Sequence, residues 1–333
     1  MIFNLDFDPE LMTYQDGYDN ALHHSAHFQA YAEELASRLV EQYSLHGKTI
    51  VEIGCGDGYF LRKLCRLGGN RGWGFDPSYS GICNDEDDVT IVQEYFDVTS
   101  APKNIDFVCC RHVLEHIPNP SQFMRQLRDT LPKETTVYFE VPNADFTLEE
   151  GGIWDILYEH CSYYTENPLK RLFRDADFQI LSTKPAYGGQ FLQLEATTGQ
   201  EQADCVNEDA TRVRRIEQAL QFESSYKATI SRWTQRLEEY KEQTKQVAIW
   251  GAGTKGIMFL NSVPGASSVM AVVDINPRKH GRFIVGTGTP IVGPSDLKNE
   301  PPDVVLVMNP VYYDEVCEQL NDLTIDAEVL RID

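Results

Sequence analysis

The chain alternates short apolar runs with stretches in which apolar residues recur every three or four positions. The runs predict strands at 49–53, 72–76, 89–92, 105–110, 135–143, 178–182 and 191–196. Ahead of the first, Phe28, Tyr31, Leu35, Leu39 and Val40 share one face of a helix; directly after it, Tyr59, Phe60, Leu61 and Leu64 open another. Strands interleaved with helices predict an α/β fold, here a seven-stranded sheet whose last two strands form a hairpin. Further on, Tyr226, Ile230, Trp233, Leu237 and Tyr240 are spaced four and three apart, an apolar stripe on a long helix that links two domains and packs on both. A second, smaller α/β unit opens with the run VAIW at Val247 and has a further strand at 304–308. The predicted organisation is an N-terminal arm and helix over 1–45, a first domain over 46–200, a linking helix over 201–246 and a terminal domain over 247–333. The opening twenty residues, rich in Asp, Tyr and Phe without a clear period, suggest an arm or lid.

Two glycine turns punctuate this pattern. In the first, TIVEIGCGDG, the strand ends on Glu52 and runs into Gly54, Gly56 and Gly58. Glycines there let the backbone come within contact distance of a ligand, and Glu52 offers a carboxylate to a cationic or hydroxylated one. A phosphate-binding loop requires Gly-Lys-Ser/Thr, whereas Asp57 follows Gly56 and would repel an anion. Asp76, about twenty residues on, stands where nucleotide-binding α/β units place an acid for ribose hydroxyls. Asp97 is a candidate acceptor for an adenine amino group, with Phe96 packing on the ring. In the second turn, Gly251-Ala252-Gly253-Thr254-Lys255-Gly256 with Asp274 beyond it has the form of a dinucleotide fingerprint. The domain carrying it is roughly half the size of a full dinucleotide fold.

Charge narrows the function class. The 333 residues carry 51 acidic and 29 basic side chains, a net charge of −22, which disfavours nucleic acid and anionic membranes as partners. With no signal-like N-terminus and no apolar run of spanning length, a soluble cytoplasmic enzyme acting on a small molecule is expected. The eight cysteines include no CxxC pair and are expected as buried free thiols. His23, His24 and His27 lack a further ligand at fixed spacing, so no metal site is expected there.

The first glycine turn resembles motif I of class I S-adenosylmethionine-dependent methyltransferases. His112-Val113-Leu114-Glu115-His116-Ile117, with Pro120, resembles the segment after strand four of the same class. Tyr158-Glu159-His160 with Tyr163-Tyr164-Thr165, the hairpin YGGQFLQLEA, the long helix and the terminal WGAGTKG…VVDINPRKHG…DVVLVMNP unit follow in an order similar to the C-methyltransferases of deoxysugar and antibiotic biosynthesis, over nearly the whole chain. There are departures. The family's Tyr-x-Glu-His has Leu157 at the tyrosine position with Tyr158 adjacent, its His-Gly-Gly-Ser hairpin reads Tyr187-Gly188-Gly189-Gln190, and its zinc module is missing.

The resemblance implies S-adenosylmethionine as cofactor, held by Glu52, Gly54, Gly56, Asp76, Asp97 and His112, with His116 structural. It implies a small-molecule acceptor, a nucleotide-linked keto sugar or related intermediate, touched by Tyr14, Tyr18, His24, Asn143, Tyr163, Lys255 and Asn309. The chemistry of Glu159-His160 has a basis of its own: methylating carbon requires removing a proton next to a carbonyl, which a neutral imidazole can do. His160 is then the base, Glu159 its partner and Tyr158 the donor to the enolate oxygen. Alternatives are an O- or N-methyltransferase, an NAD-dependent oxidoreductase using the second turn, and a silent adenosine-binding module.

Overall fold

A computed structural model describes residues 1–11, 22–79, 81, 88–97, 99–199 and 208–332. They form two compact units, one from the described residues within 1–19, 28–146 and 158–206, the other from those within 20–27, 147–157 and 207–333. Tyr14 and Tyr18 lie outside the described residues.

In chain order the first unit and its borders contain strands β1 (Ile2–Phe3), β2 (Thr49–Ile53), β3 (Arg71–Phe75), β4 (Val89–Val92), β5 (Phe107–Arg111), β6 (Thr136–Pro142), β7 (Ser162–Tyr163), β8 (Gln179–Ala186) and β9 (Phe191–Thr197). Its helices are α1 (Ala26–Gln42), α2 (Tyr59–Gly68), α3 (Pro120–Thr130), α4 (Ala144–Glu149) and α5 (Glu166–Arg174). Seven strands form one sheet in the order β4-β3-β2-β5-β6-β9-β8. Neighbours are parallel except β9, which runs antiparallel to β6 and β8. The chain leaves β2 in one direction and returns on its other side at β5, so the carboxyl ends of β2 and β5 flank a topological switch point, the usual ligand edge of an open α/β sheet.

Burial on both faces explains why the strands read as apolar runs rather than alternations. Val51, Phe139, Tyr164, Phe173 and Leu194 belong to one core, each at most 4% exposed. Gly72 and Gly74 let β3 lie close beneath α2: a Cβ at Gly72 would stand 2.8 Å from Cys65 Sγ, and one at Gly74 2.4 Å from Cys55 Sγ. α3 starts on Asn119, whose side chain accepts from the Gln122 N–H, with Pro120 at its first turn. β8 runs four residues beyond the expected 178–182, through Pro185. It is an edge strand, where proline's missing N–H costs no ladder bond.

The second unit contains α6 (Glu208–Glu242), α7 (Thr254–Ser262) and α8 (Tyr313–Asp322), with β10 (Val247–Trp250), β11 (Ala271–Val273), β12 (Ile291–Val292), β13 (Val304–Val307) and β14 (Glu328–Arg331). Its sheet, β12-β11-β10-β13-β14, is parallel throughout. The stripe Trp233, Leu237, Tyr240 of α6 is buried with Val247, Ile249 and Phe259. Ile153 and Trp154 join the same core, the Trp154 ring 5.1 Å from that of Phe259. Among the described residues no helix is long and apolar enough to cross a membrane.

Candidate functional site

The carboxyl edge of the first sheet gathers buried charge around one acid, Glu140. Register places Arg111 of β5 and Gln193 of β9 opposite Glu140 of β6, so the three side chains share a face. Arg111 meets Glu140 Oε1 through Nη2 at 2.9 Å and Nε at 3.0 Å. Tyr138, two residues back on the same face, donates to Oε2 at 2.8 Å, and Tyr31 of α1 donates to the same oxygen. Gln193 Nε2 donates to the Tyr31 hydroxyl at 2.9 Å. Burial opposes charge on Glu140, but Arg111 and His112 outweigh it and hold the carboxyl well below the usual range. The Arg111 guanidinium lies 4.3 Å from the centre of the Phe60 ring.

His112 follows β5 at φ +54°, a backbone region few non-glycine residues occupy. Its ring packs on Phe191 at 4.4 Å, its Nε2 lies 3.2 Å from Glu140 Oε1, and its Nδ1 lies 3.7 Å from Glu115 Oε1. Burial works against its charge; Glu115 and Glu140 override that and raise its pKa to about 9.

His160 sits on the loop before β7, 6% exposed. Its ring is 4.8 Å from that of His116 and 5.5 Å from that of Tyr163. Among the described residues its Nδ1 has no hydrogen-bond partner. Burial lowers its pKa to about 4, with Glu115 pulling the other way and His116 and His112 adding to the decrease. One polar atom each from Glu115, His116 and His160 lie within 4.8 Å of one another.

The residues singled out from sequence divide accordingly. Tyr158 is 43% exposed and ties down the N-terminal stretch: its hydroxyl donates to the Asp6 carbonyl and accepts from the Asp8 N–H, at 3.1 and 3.0 Å. Tyr163 has its ring 5.5 Å from that of His160. Glu159 contributes its backbone carbonyl to His116 Nδ1 at 3.1 Å, and the acid whose charge acts on His160 is Glu115. Asn143 holds the hairpin tip, its Nδ2 donating to the Gly189 carbonyl at 2.8 Å. Asp97 is exposed and accepts from the Thr99 N–H and hydroxyl, both at 2.6 Å. His24, Lys255 and Asn309 belong to the second unit, where Lys255 pairs with Asp155 at 2.9 Å and Asn309 caps the turn at Val311. Sequence reasoning gave no role to Arg111, Glu115, Tyr31 or Gln193. The available signal was Glu140 itself, an acid inside the run VYFEV where burial demands a partner.

The first glycine turn is shaped for a ligand. Gly54, Gly56 and Gly58 have φ of +70°, +55° and +80°. A Cβ at Gly56 would meet nothing within 4 Å, while the Gly56 N–H donates to Asp76 Oδ2 at 2.7 Å. The other Asp76 oxygen accepts from the Ser78 N–H and hydroxyl at 2.9 and 2.6 Å. Glu52 is 3% exposed, its Oε2 has no hydrogen-bond partner among the described residues, and burial raises its pKa to about 8 against the pull of Arg111. An open cradle beside an unsatisfied buried acid fits a ligand carrying cationic and hydroxyl groups.

Residues 26–183 match the family described as a methyltransferase domain, and residues 191–328 match that described as the C-methyltransferase C-terminal domain. The chain is a class I S-adenosylmethionine-dependent methyltransferase carrying a C-methyltransferase C-terminal domain. It is similar to the C-methyltransferase NovU of Streptomyces niveus, 24% identical over 303 residues that cover 86% of this chain and 72% of that one. The ubiquinone biosynthesis O-methyltransferase of Hydrogenovibrio crunogenus is 26% identical over 129 residues, covering 34% of this chain and 50% of that one. Magnesium protoporphyrin IX methyltransferase from Synechocystis, solved with bound S-adenosylhomocysteine, superposes with a TM-score of 0.42 at 18% identity, over 56% of this chain and 91% of that one. The methyltransferase match covers the first glycine turn, His112, Glu140 and His160 together, and the C-methyltransferase match covers the second turn.

Proposed function

We propose that this methyltransferase acts on carbon, at a position next to a carbonyl in a nucleotide-linked keto sugar or related natural-product intermediate. Glu52, Gly54, Gly56 and Asp76 would hold S-adenosylmethionine, and His112 stands on the same edge. When bound, that cofactor supplies an electrophilic methyl group.

The observation that carries this reading is His160, a buried imidazole that is neutral at pH 7 and whose Nδ1 has no partner among the described residues. Such a nitrogen accepts a proton from an acidic carbon, leaving the C–H electron pair on the substrate as an enolate. Tyr163, whose ring lies 5.5 Å from that of His160, supplies the hydrogen bond to the enolate oxygen. It takes over the part assigned from sequence to Tyr158, whose hydroxyl is engaged by the N-terminal stretch. Asn143 orients the hairpin tip at the same edge.

Against the oxidoreductase reading stands the second turn. Asp274 accepts from the Ala252 N–H at 2.9 Å and pairs with Lys279 at 3.2 Å, so the charge of the acid a dinucleotide ribose would use is already balanced within the protein.

His160→Asn tests the assignment. Turnover of a keto-sugar nucleotide should fall by at least about a thousandfold, within the range general-base removal produces, while calorimetric affinity for S-adenosylhomocysteine stays within twofold. Retained turnover removes His160 as base. Absence of solvent deuterium exchange at the acceptor carbon, measured without S-adenosylmethionine, moves the reaction to oxygen or nitrogen.

A further inference from the structure

The acid beside His160 in space differs from the acid beside it in sequence. Glu115 is 2% exposed and lies in a single turn of 3-10 helix, Leu114–His116, just after His112. Three hydrogen bonds stitch that turn to the His160 loop. The Cys161 N–H donates to the Glu115 carbonyl at 2.8 Å, Cys161 Sγ to the His116 carbonyl at 3.2 Å, and His116 Nδ1 bonds the Glu159 carbonyl at 3.1 Å. His160 is therefore held against Glu115 and His116 by the backbone on both sides. One carboxylate oxygen of Glu115 faces His112 Nδ1 at 3.7 Å, and the other has no hydrogen-bond partner among the described residues.

We infer that Glu115 is the positioning carboxylate of His160: it compensates the imidazolium formed when His160 takes its proton, while His112 on its other side keeps it ionised. The inference rests on His160 being the base. A buried neutral imidazole has little tendency to accept a proton. A fixed anion beside it attracts little while the ring is neutral and strongly once it is charged, so its effect grows toward the transition state. Such an anion must survive burial. Burial opposes the charge of Glu115, and the bond to His112 with the charges of His116, His112 and His160 outweighs that opposition and keeps the carboxyl low. The groups facing His160 are thus Glu115 and His116 from the turn, His112 from the end of β5, and Tyr163 from β7, with Glu159 and Cys161 flanking it in the chain.

The test is histidine titration in the full chain, labelled with ¹⁵N-histidine and followed by NMR without any acceptor, using His160→Asn and His112→Gln to assign the two rings. In the native protein His160 should be protonated to roughly a tenth at pH 5, one unit above a pKa of about 4. In Glu115→Gln it should stay neutral there, and the His112 midpoint should fall from about 9 by a unit or more, a tenfold loss of proton affinity. Glu159→Gln should move neither. Unchanged titration in Glu115→Gln, or a His160 shift in Glu159→Gln, overturns the inference. If Glu115→Gln does not fold, Glu115→Asp decides: drawing the carboxylate back by one methylene should lower the His160 midpoint, and an unchanged midpoint overturns it. No acceptor is present, so this outcome is separate from that of the base assignment, which turnover of His160→Asn settles.

Discussion

The two glycine turns of this chain share a sequence pattern and differ in what occupies them. Each follows the first strand of its sheet, each opens a helix, and in each an acid from the end of the next strand accepts a peptide N–H of the turn: Asp76 from Gly56 at 2.7 Å, Asp274 from Ala252 at 2.9 Å. In the first, the acid's other oxygen is held by Ser78, and a second, buried acid, Glu52, stands at the strand end with an oxygen unpartnered among the described residues. In the second, the ammonium of Lys279 lies 3.2 Å from Asp274 and 3.3 Å from the Ala252 carbonyl. The backbone differs too. All three glycines of the first turn have positive φ, whereas Gly253 is extended and Gly256 lies within α7. The lesson is that a glycine turn followed by an acid specifies a close strand-to-helix connection, and the charge left over after internal pairing decides whether a ligand is invited.

The largest expected effect tests that difference directly. Asp76→Ala should weaken S-adenosylhomocysteine binding about 10- to 100-fold, corresponding to the roughly 1.5–3 kcal/mol of a hydrogen bond to a charged group. Asp274→Ala should leave that affinity unchanged, and the native protein should not bind NAD⁺ in calorimetry. NAD⁺ binding that Asp274→Ala removes would reverse the roles given to the two turns.

A smaller effect separates packing glycines from ligand-facing ones. A Cβ at Gly256 would stand 2.2 Å from the Gly251 carbonyl oxygen, whereas one at Gly253 meets nothing within 4 Å. Gly256→Ala should therefore destabilise the protein by about 1–3 kcal/mol, read as a lower midpoint in urea, without changing S-adenosylhomocysteine affinity. Gly253→Ala should be near neutral in both. An affinity loss in Gly256→Ala would show that the second turn contributes to the cofactor site after all.

A separate effect is the pH dependence contributed by three buried groups of the first unit. His112, raised to about 9, contributes stability that is full below its unfolded value near 6.5 and is lost as pH rises through 9. Glu52, raised to about 8, works in the same direction, its contribution falling away between about 4.5 and 8. His160, lowered to about 4, works in the opposite one: its contribution is present above 6.5 and is lost as pH falls toward 4. Thermal midpoints should therefore decline on both sides of a maximum at mildly acidic pH. His160→Asn should remove part of the acid-side decline, and His112→Gln part of the alkaline one.

Much of this was legible in the chain. The seven strands of the first sheet stood out as apolar runs because a sheet covered on both faces has no polar side to alternate with, and the Trp233, Leu237, Tyr240 stripe marked α6. The first glycine turn and Asp76 were legible because local backbone chemistry sets them: positive φ, close approach, an acid one strand later. Pairings between distant segments were not. Nothing local tells that Arg111, Glu140 and Gln193 meet across three strands, since that depends on β9 running antiparallel beside β6 in one register. Tyr31 read as part of an apolar stripe because its ring is apolar, and only the fold brings its hydroxyl to Glu140. Likewise Glu159 is the neighbour of His160 along the chain, but the tertiary structure brought in Glu115, 45 positions away, through the hydrogen bonds of Cys161 and His116. Sequence determined the elements and the chemistry available at each position; the tertiary structure decided which charges share a buried space, because electrostatic pairing acts through distance in three dimensions and not along the chain.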